Sequence, residues 1–591
     1  MKNLCRELST GAKAEAMFQA CVRGPSGNAR ASALRQLRRF MAERGIPWPS
    51  KPNLQHVTPL GVLIELAYTW HVPLWFSVRF TRKSAKPGGD PTAVIIEPGP
   101  YALVWQGLHK DITERGDFYN HWSKLHAALS DAGNDQVNSS GDTERAEQMS
   151  QVDNKVLGEL ATAQLDPAGP ASDELQLGDV DVHYTPHIKS NEWLEQLRKH
   201  VIPLIGRDTL LRLSNRAVLK AVEKLFSLYD PLTLLEHAGW YLARNLAPLA
   251  DASLLYDRYV KENRSEQQRN EERSLFCVAQ VEPVFRLLVI SLYAVPRFSP
   301  IRRERVNKML LDVRDMVASK VAALPWLDEL YKKRAQQKLS QMKTALWPPD
   351  SLLANADLSA TYTAFVVPNE SSSVMGAWIQ NVIALHELRH RIDLEQALRL
   401  PGNLALPLLQ YDYLANEVRI SAQALSPPVY FLEGTLGMLY GGLGYMYASE
   451  VVKALDAEGS LRNAEGRLAG NDSWLSPRWA DAIADKEGCL GESAHYFPEI
   501  PAIEVAYASL ENALRTSDTR LLTARATFSE RRLFYITMCY LLCTGPTPNY
   551  VAHPVGGNCN KAVANFPRFA DDFGCTGKAK MRRERPCVFF V

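Results

Sequence analysis

Apolar residues recur at three- and four-residue spacing along most of the chain, which places them on one face of an α-helix. This spacing is clearest in residues 228–250, 281–295 and 306–324, and each is predicted to be helical. Strict alternation of apolar and polar residues is sparse. It occurs in residues 92–98 and 415–425, which are predicted to be short edge strands. The pattern therefore predicts a mainly α protein with small β elements.

Residues 130–190 break this pattern because they are polar and punctuated by Gly and Pro. We interpret them as surface loops around a short helix. The longest apolar stretches begin at Phe285 and Leu533, and both fall short of the roughly 20 residues that cross a bilayer. The chain start lacks the apolar run of a signal peptide. We therefore predict no transmembrane segment in this chain.

The length of the chain predicts two hydrophobic cores rather than one. A chain of 591 residues exceeds the roughly 250–300 residues at which a single core stops growing, so two lobes are expected. The 67 basic and 65 acidic residues leave a formal charge of only +2. Nothing in this charge balance points to nucleic acid or to an anionic membrane surface as a partner.

One literal metal-binding pattern is present. Two histidines at i and i+4 with a glutamate after the first are the way in which a helix supplies two zinc ligands and a general base. His386, Glu387 and His390 form this pattern in a predicted helix. However, Arg389 occupies an inner position that zinc helices usually keep uncharged, and so short a pattern arises readily by chance. We therefore favour a solvated helix face over a displaced metal site.

Two ungapped segments resemble a known family. Residues 416–430, NEVRISAQALSPPVY, are similar to N-E-I-V-F-P-A-G-I-L-Q-P-P-F-F, and residues 440–459, YGGLGYMYASEVVKALDAEG, are similar to Y-G-G-I-G-x-V-I-G-H-E-x-T-H-A-F-D-D-x-G. Both patterns belong to the neprilysin and endothelin-converting-enzyme family of zinc metallo-endopeptidases. Residues 326–353 and 564–591 resemble the family too, whereas its anchor or signal and its Cys-rich start are not found. The resemblance identifies a degenerate member, which we expect to be truncated at its N-terminus.

The resemblance implies a two-lobed, neprilysin-like architecture. Residues 1–400 would form the helical N-terminal lobe, truncated at its start. Residues 401–591 would form a thermolysin-like metallopeptidase domain with a degenerate zinc site.

The catalytic positions of the family are heavily substituted here. By resemblance, the two histidine ligands fall on Ser449 and Lys453, and the third ligand, a glutamate, falls on His495. Glu450 stands where the general base stands, and Asp456 stands where a carboxylate orients a ligand histidine.

These substitutions have a chemical cost. A serine hydroxyl is a poor zinc ligand at neutral pH, and a protonated lysine repels a divalent cation. Without a metal, no polarised water remains for Glu450 to activate. We hypothesise that Lys453 stands in for the ion by pairing with Glu450 at i−3 and Asp456 at i+3. No cofactor is expected, although the family uses zinc.

Two functions remain open. The favoured hypothesis is a pseudopeptidase that binds a peptide or a partner protein in a central cavity. The alternative is an active zinc metallo-endopeptidase that uses an unusual ligand set, either Glu450, Asp456 and His495 or the helix with His386 and His390. A serine-hydrolase triad built on Ser449 and His495 is not favoured, because the sequence shows no nucleophile elbow or oxyanion-hole motif.

The nine cysteines fit the family pattern in part. By resemblance, Cys21 pairs with Cys277 and Cys489 pairs with Cys587, which requires an oxidising compartment. Cys543 and Cys575 would pair with each other or with one of the remaining cysteines. The pairing therefore stays open for five cysteines: Cys5, Cys539, Cys543, Cys559 and Cys575.

The resemblance also implies an extracellular or cell-surface protein. Four N-x-S/T sequons agree with this location because they are glycosylated only in the secretory pathway. The sequons are at Asn138, Asn263, Asn369 and Asn471.

Overall fold

The computed structural model describes most of the chain, with interruptions. The described residues are 9–55, 57–82, 91–130, 139–165, 172–255, 265–368, 373–389, 391, 394, 397–402, 407–469, 477–490, 497–516, 528–542 and 559–590.

Helices make up most of the described chain, as the apolar spacing predicts. In chain order they are α1 Gly11–Arg23, α2 Gly27–Glu43, α3 Pro59–Tyr68, α4 Ala102–Glu114, α5 Phe118–Leu129, α6 Ser139–Leu165, α7 Val180–His183, α8 Ser190–His200, α9 Arg216–Leu228, α10 Pro231–Ala250, α11 Glu266–Val281, α12 Arg286–Arg297, α13 Pro300–Ala322, α14 Glu329–Gln341, α15 Asn355–Thr361, α16 Val374–Arg389, α17 Leu436–Leu439, α18 Tyr445–Val451, α19 Pro477–Leu490, α20 Glu499–Thr516, α21 Glu530–Leu542, α22 Cys559–Ala564 and α23 Pro567–Phe573.

Two of the predicted helices begin at side-chain caps. The Asp230 carboxylate accepts from the backbone N–H groups of Leu232 and Thr233 at the start of α10, and the Ser299 hydroxyl accepts from Arg302 N at the start of α13. The third predicted helix, 281–295, is divided. α11 ends at Val281 and α12 begins at Arg286, with Pro283 between them, because a proline has no N–H to continue the helix.

Strands form two small sheets. They are β1 Phe76–Arg82, β2 Pro91–Pro98, β3 Asp173–Gln176, β4 Leu210–Leu213, β5 Lys343–Ala345, β6 Leu409–Asp412 and β7 Glu417–Ile420. The four-stranded sheet has the order β1-β2-β4-β3, in which only β2 and β4 run parallel. The three-stranded sheet has the order β5-β7-β6, with β5 parallel and β6 antiparallel to β7.

The predicted strands exist, but the prediction that they lie at sheet edges is wrong. β2 lies between β1 and β4, and its consecutive residues Val94, Ile95 and Ile96 are all buried, as in a strand covered on both faces. β7 is the central strand of its sheet. It also ends earlier than predicted, because the Ser421 hydroxyl accepts from Gln423 N and begins a short 3₁₀ turn.

The prediction of a short helix within residues 130–190 is also wrong, because α6 has 27 residues. Its buried side chains include Met149, Val156 and Leu160, which share one helical face with Asp153. A carboxylate in the middle of that face interrupts the apolar stripe, and this concealed the helix in the sequence.

The described chain divides into two compact units, each of which is discontinuous. The first contains the described residues of Met1–Leu292 and Pro349–Leu398, and the second contains those of Tyr293–Pro348, Arg399–Pro548 and Ala552–Val591. The four-stranded sheet therefore belongs to the first unit and the three-stranded sheet to the second. The chain passes from the first unit to the second between Leu398 and Arg399, beside the predicted boundary at residue 400. It also enters the second unit earlier, so residues 293–348 belong to the unit that contains the C-terminal segments.

Three disulfides are present among the described cysteines. Two are those that the resemblance implied, Cys21–Cys277 and Cys489–Cys587. The third joins Cys539 to Cys559, and Cys575 forms no disulfide within the described chain. Cys5 and Cys543 lie outside the described residues.

Among the described helices, no single one is both long and apolar enough to cross a membrane. Only α11 and α12 taken together reach the required length and hydropathy, and a bend of 109° separates them.

Candidate functional site

Helix α18, which carries Ser449 and Glu450 at positions that are catalytic in the family, lies in the hydrophobic core of the second unit. Tyr447, Ala448 and Val451 are fully buried, and the helix packs against α20 and β6. Just before it, the glycines of the YGG segment permit close backbone packing. A Cβ at Gly441 would lie 2.2 Å from the Phe534 carbonyl oxygen of α21, a distance that only glycine tolerates. These glycines therefore let the segment before α18 pack directly against the backbone of α21.

Glu450, at the position of the general base, has both carboxylate oxygens engaged. Its Oε1 lies 2.7 Å from the Lys453 ammonium, and its Oε2 accepts from the backbone N–H of Tyr411 at 2.7 Å. Tyr411 belongs to β6, which is an edge strand, so an N–H that faces away from the ladder is available to donate. The residue is buried apart from 8% of its surface. Glu450 thus ties the helix to both the lysine and the sheet edge.

Ser449, at the first ligand position, is turned toward its own helix. Its hydroxyl donates to the Tyr445 carbonyl oxygen at 2.9 Å, one helical turn earlier. Serine commonly adopts this bond inside helices. The proton of the hydroxyl is therefore already in use.

Asp456 follows the helix and accepts two hydrogen bonds. Gly459 N donates to Oδ1 and the Tyr413 hydroxyl donates to Oδ2, both at 2.7 Å. Burial raises the pKa of Asp456 to about 6, although these hydrogen bonds and the charge of Lys453 act in the opposite direction. Lys453 therefore bonds directly to Glu450 but influences Asp456 only through its charge, so the structure forms one of the two hypothesised pairs.

The segment after the helix is held by a lysine that sequence reasoning missed. Lys338 of α14 is fully buried, and its ammonium donates to three backbone carbonyl oxygens. They belong to Ala454 at 3.0 Å, Gly459 at 2.6 Å and Arg462 at 2.9 Å. Burial lowers the pKa of Lys338 to about 7, while Asp456 raises it. Two signals in the sequence were its place in the apolar stripe of α14, beside Leu339, and its position within residues 326–353, which resemble the family.

Zinc is a poor match for the described residues at the ligand positions. Zinc takes thiolate, imidazole or carboxylate donors, whereas Ser449 offers a hydroxyl bonded to a carbonyl and Lys453 offers an ammonium. Within the described part of the chain, no three His, Cys, Asp or Glu side chains are grouped so that they could hold a metal ion. His495, the third position, lies outside the described residues, as does any triad that includes it.

The literal histidine pattern lies in the other unit. His386 and Glu387 are on α16, which ends at Arg389, and His390 lies outside the described residues. His386 packs edge-on against the Tyr68 ring, with centroids 5.5 Å apart, and Glu387 is exposed. The structure therefore leaves the displaced metal site as an untested prediction. The four sequons at Asn138, Asn263, Asn369 and Asn471 also lie outside the described residues.

Comparison with known proteins agrees with this fold. Residues 5–347 match the model of peptidase family M13. Neprilysin of Mus musculus is 20% identical over 337 residues, which cover 50% of this chain and 43% of neprilysin. Endothelin-converting enzyme 1 of Bos taurus is 18% identical over 429 residues, which cover 67% of this chain and 56% of that enzyme. These matches span about half the length of each relative.

A solved structure extends the likeness to the whole chain. The zinc metalloprotease Zmp1 of Mycobacterium tuberculosis, in complex with an inhibitor, aligns with a TM-score of 0.64 at 14% identity. The alignment covers 100% of this chain and 93% of Zmp1. At this identity, the likeness establishes the fold.

Proposed function

The chain belongs to peptidase family M13, and on that premise we propose that it is a member that has lost zinc binding and peptide hydrolysis. It acts instead as a binding protein for a peptide or a partner protein. Such a pseudopeptidase keeps the fold of the enzyme but does not bind its metal.

The observation that carries this proposal is the 2.7 Å contact between Lys453 and Glu450. A divalent ion about 4 Å from an ammonium is repelled by roughly 8 kcal/mol at an effective dielectric constant of about 20. Glu450 would attract the ion by a similar amount, but the lysine cancels that attraction. Ser449 offers only a neutral hydroxyl, so neither of the two histidine ligand positions of the family holds a good zinc donor here.

A binding role is supported by what the chain retains. The fold extends over the full chain, and α18 and β6 keep their mutual packing through the bond from Tyr411 to Glu450. The three disulfides agree with an oxidising, extracellular setting. The choice of a peptide or protein ligand is made by analogy with a family of peptidases.

Zinc content per chain tests the proposal most directly. Protein purified from a secretory host without chelators would be analysed by elemental mass spectrometry. We expect no zinc in the parent and a gain of zinc in the double variant Ser449→His, Lys453→His, because the frame would then present two imidazoles one turn apart. The matched control, Ser449→Ala with Lys453→Ala, removes the same side chains without adding donors and should remain without zinc.

One equivalent of zinc in the parent, together with chelator-sensitive cleavage of peptides, would overturn the proposal and favour an active peptidase. The binding role has its own readout. Peptides from a digest of a known protein would be passed with the parent through gel filtration, and the retained peptides identified by mass spectrometry. Intact retained peptides support binding without hydrolysis, and shortened ones contradict it.

A further inference from the structure

A cavity of about 500 Å³ lies within the first unit, apart from the residues discussed above. Its walls come from helices α4, α10, α11 and α16 and from the turn after α3. Six Phe, Tyr and Trp side chains line it: Trp70, Tyr101, Trp105, Tyr241, Phe276 and Trp378. Ligand pockets for small molecules have volumes of roughly 300–1,000 Å³, so this cavity is large enough to hold one.

Two tryptophans of the wall are held from outside the cavity. The Arg44 guanidinium lies 4.0 Å from the centroid of the Trp70 ring, and Phe40 meets the same ring edge-on at 4.5 Å. Phe40 also packs edge-on against Trp378, with centroids 6.2 Å apart. The Trp70 indole N–H donates to Glu65 Oε1 at 3.0 Å. Because none of these partners lines the cavity, the two rings are in place before a ligand arrives, and less conformational freedom is lost on binding.

Arginine and amide side chains on the wall bond to the protein itself. Arg244 donates to the Asp153 carboxylate at 2.9 Å, and its guanidinium lies 4.4 Å from the centroid of the Trp105 ring. Gln280 Nε2 donates to Asn245 Oδ1 at 3.1 Å, and both residues line the cavity. These bonds occupy polar atoms of the wall, and the Asp153 carboxylate balances the charge of Arg244.

The histidines of the wall add no charge to it. Both ring nitrogens of His71 and Nε2 of His121 are closed to water, so they do not face the open volume. Burial lowers the pKa of His71 well below its ordinary value and that of His121 to about 3, so both rings are neutral at pH 7. Glu272 also lines the cavity and has an interaction within the protein. A charged ligand would therefore give up its hydration without a matching charge on the described wall to replace it.

We propose that this cavity binds an uncharged aromatic molecule of the size of a substituted naphthalene. Its rings pack edge-on or offset against the aromatic wall, which are the arrangements that aromatic pairs prefer. Tyr101, Val104 and Leu275 line the cavity and are also exposed, at 50%, 44% and 60%, so the ligand enters past apolar side chains. The site is independent of the residues on α18 and of the proposed loss of zinc binding.

Fluorescence titration of the full chain with N-phenyl-1-naphthylamine tests the proposal, because the emission of this uncharged probe rises in an apolar site. We expect saturable binding of one probe per chain. The compound 8-anilino-1-naphthalenesulfonate has the same carbon skeleton with one sulfonate near its middle. It should bind at least about tenfold more weakly, because the wall does not replace the hydration of the sulfonate. No saturable binding of the uncharged probe, or equally tight binding of the sulfonate, would overturn the proposal.

Displacement of the probe separates aromatic from aliphatic ligands. Naphthalene should displace N-phenyl-1-naphthylamine at a concentration at least about threefold lower than decalin, its saturated counterpart. The reason is that only the aromatic molecule gains from edge-on contacts with the rings of the wall. Equal displacement by decalin would contradict the aromatic class of the ligand.

Variants locate the site. Ala279 is an exposed residue of α11 that lines the cavity, so Ala279→Trp should fill the cavity and weaken binding of the uncharged probe at least about tenfold. Ala127→Trp, at an exposed position of α5 away from the cavity, is the matched control and should bind like the parent. If Ala279→Trp does not fold by circular dichroism, Val104→Trp at the exposed wall replaces it. Parent-like binding by a folded cavity variant refutes the site.

The neutrality of the wall is tested separately. Gln280→Lys keeps a donor for Asn245 and adds a positive charge at the cavity, so the preference for the uncharged probe over its sulfonate should fall at least about tenfold. Ala127→Lys adds the same charge away from the cavity and should keep the parent preference. An unchanged preference in Gln280→Lys would contradict selection by a neutral wall. The same titration on Ser449→His, Lys453→His should give the parent result, which separates this proposal from the one about zinc.

Discussion

Asp153 in the first unit and Lys338 in the second are both fully buried charged side chains, and their charges are neutralised in different ways. In the first unit, the Asp153 carboxylate is surrounded by side chains: His109 Nδ1 at 2.8 Å, His237 Nε2 at 3.0 Å and Arg244 Nη1 at 2.9 Å. In the second unit, the Lys338 ammonium is surrounded by the carbonyl oxygens of residues 454, 459 and 462. The bonds of Asp153 thus depend on which side chains surround it, whereas those of Lys338 depend on the path of the backbone.

The pKa values of the two groups differ accordingly. Burial alone would raise the pKa of Asp153, but Arg244, His109 and His237 hold it well below its ordinary value. Burial lowers the pKa of Lys338 to about 7, although Asp456 acts to raise it. Asp153 is therefore firmly ionised, whereas the charge of Lys338 is marginal at neutral pH. The side chains around Asp153 therefore outweigh its burial, whereas the charge of Asp456 does not outweigh the burial of Lys338.

Removal of the Asp153 charge should have the largest effect on stability. Asp153→Asn leaves the Arg244 guanidinium buried without its carboxylate, and breaking a buried pair in this way costs roughly 3–5 kcal/mol. Urea unfolding followed by fluorescence would measure the loss. Glu147→Gln, at an exposed acid on the same helix, is the control and should change stability by less than about 0.5 kcal/mol. Similar losses for both variants would show that the Asp153 cluster contributes nothing specific.

Lys338→Met should cost somewhat less. The substitution keeps most of the side-chain volume but leaves three buried carbonyl oxygens with one donor fewer, and each buried unsatisfied group costs roughly 1–3 kcal/mol. Relaxation of the backbone should limit the total to about 3 kcal/mol. Thermal unfolding would measure it, with Lys333→Met, at an exposed position of α14, as the control. A parent-like midpoint for Lys338→Met would mean that the carbonyl oxygens find other partners.

These two charges also show what the sequence could predict. The helical class and the family frame of α18 follow from apolar spacing and from two ungapped motifs, because both are local patterns. The partners of Asp153 lie on α4 and α10, and those of Lys338 follow α18. No local pattern brings these distant segments together, so both clusters were invisible in the sequence.

The candidate site was predicted in part for the same reason. The bond between Lys453 and Glu450 joins residues three apart on one helix, and the sequence predicts it. The second partner of Glu450 is a backbone N–H of β6, and Asp456 is held by the Tyr413 hydroxyl and Gly459 N. These contacts depend on how the sheet edge meets the helix. Substituted motif positions therefore show which family side chains are missing more readily than they predict the bonds that the substitutes form.

The last prediction concerns pH and the acid next to Lys338. The pKa of Asp456 is about 6 in the folded protein against an ordinary value of 3.8. Between these values the folded state keeps a proton that the unfolded state has lost. The protonated form of Asp456 therefore stabilises the folded state fully below about pH 4, and this stabilisation is lost as the pH rises through about 6. A shift of this size corresponds to at most about 3 kcal/mol.

Asp456→Asn removes this titration while keeping the size of the side chain. Denaturant unfolding of the parent and the variant between pH 4 and pH 7 would give the difference in stability at each pH. We expect the parent to lose stability relative to the variant as the pH rises, because only the parent must ionise a buried carboxyl. Ionised Asp456 also favours the charged form of Lys338, which reduces the slope. A pH-independent difference would mean that its hydrogen bonds with Tyr413 and Gly459 compensate fully for burial, as side chains do for Asp153.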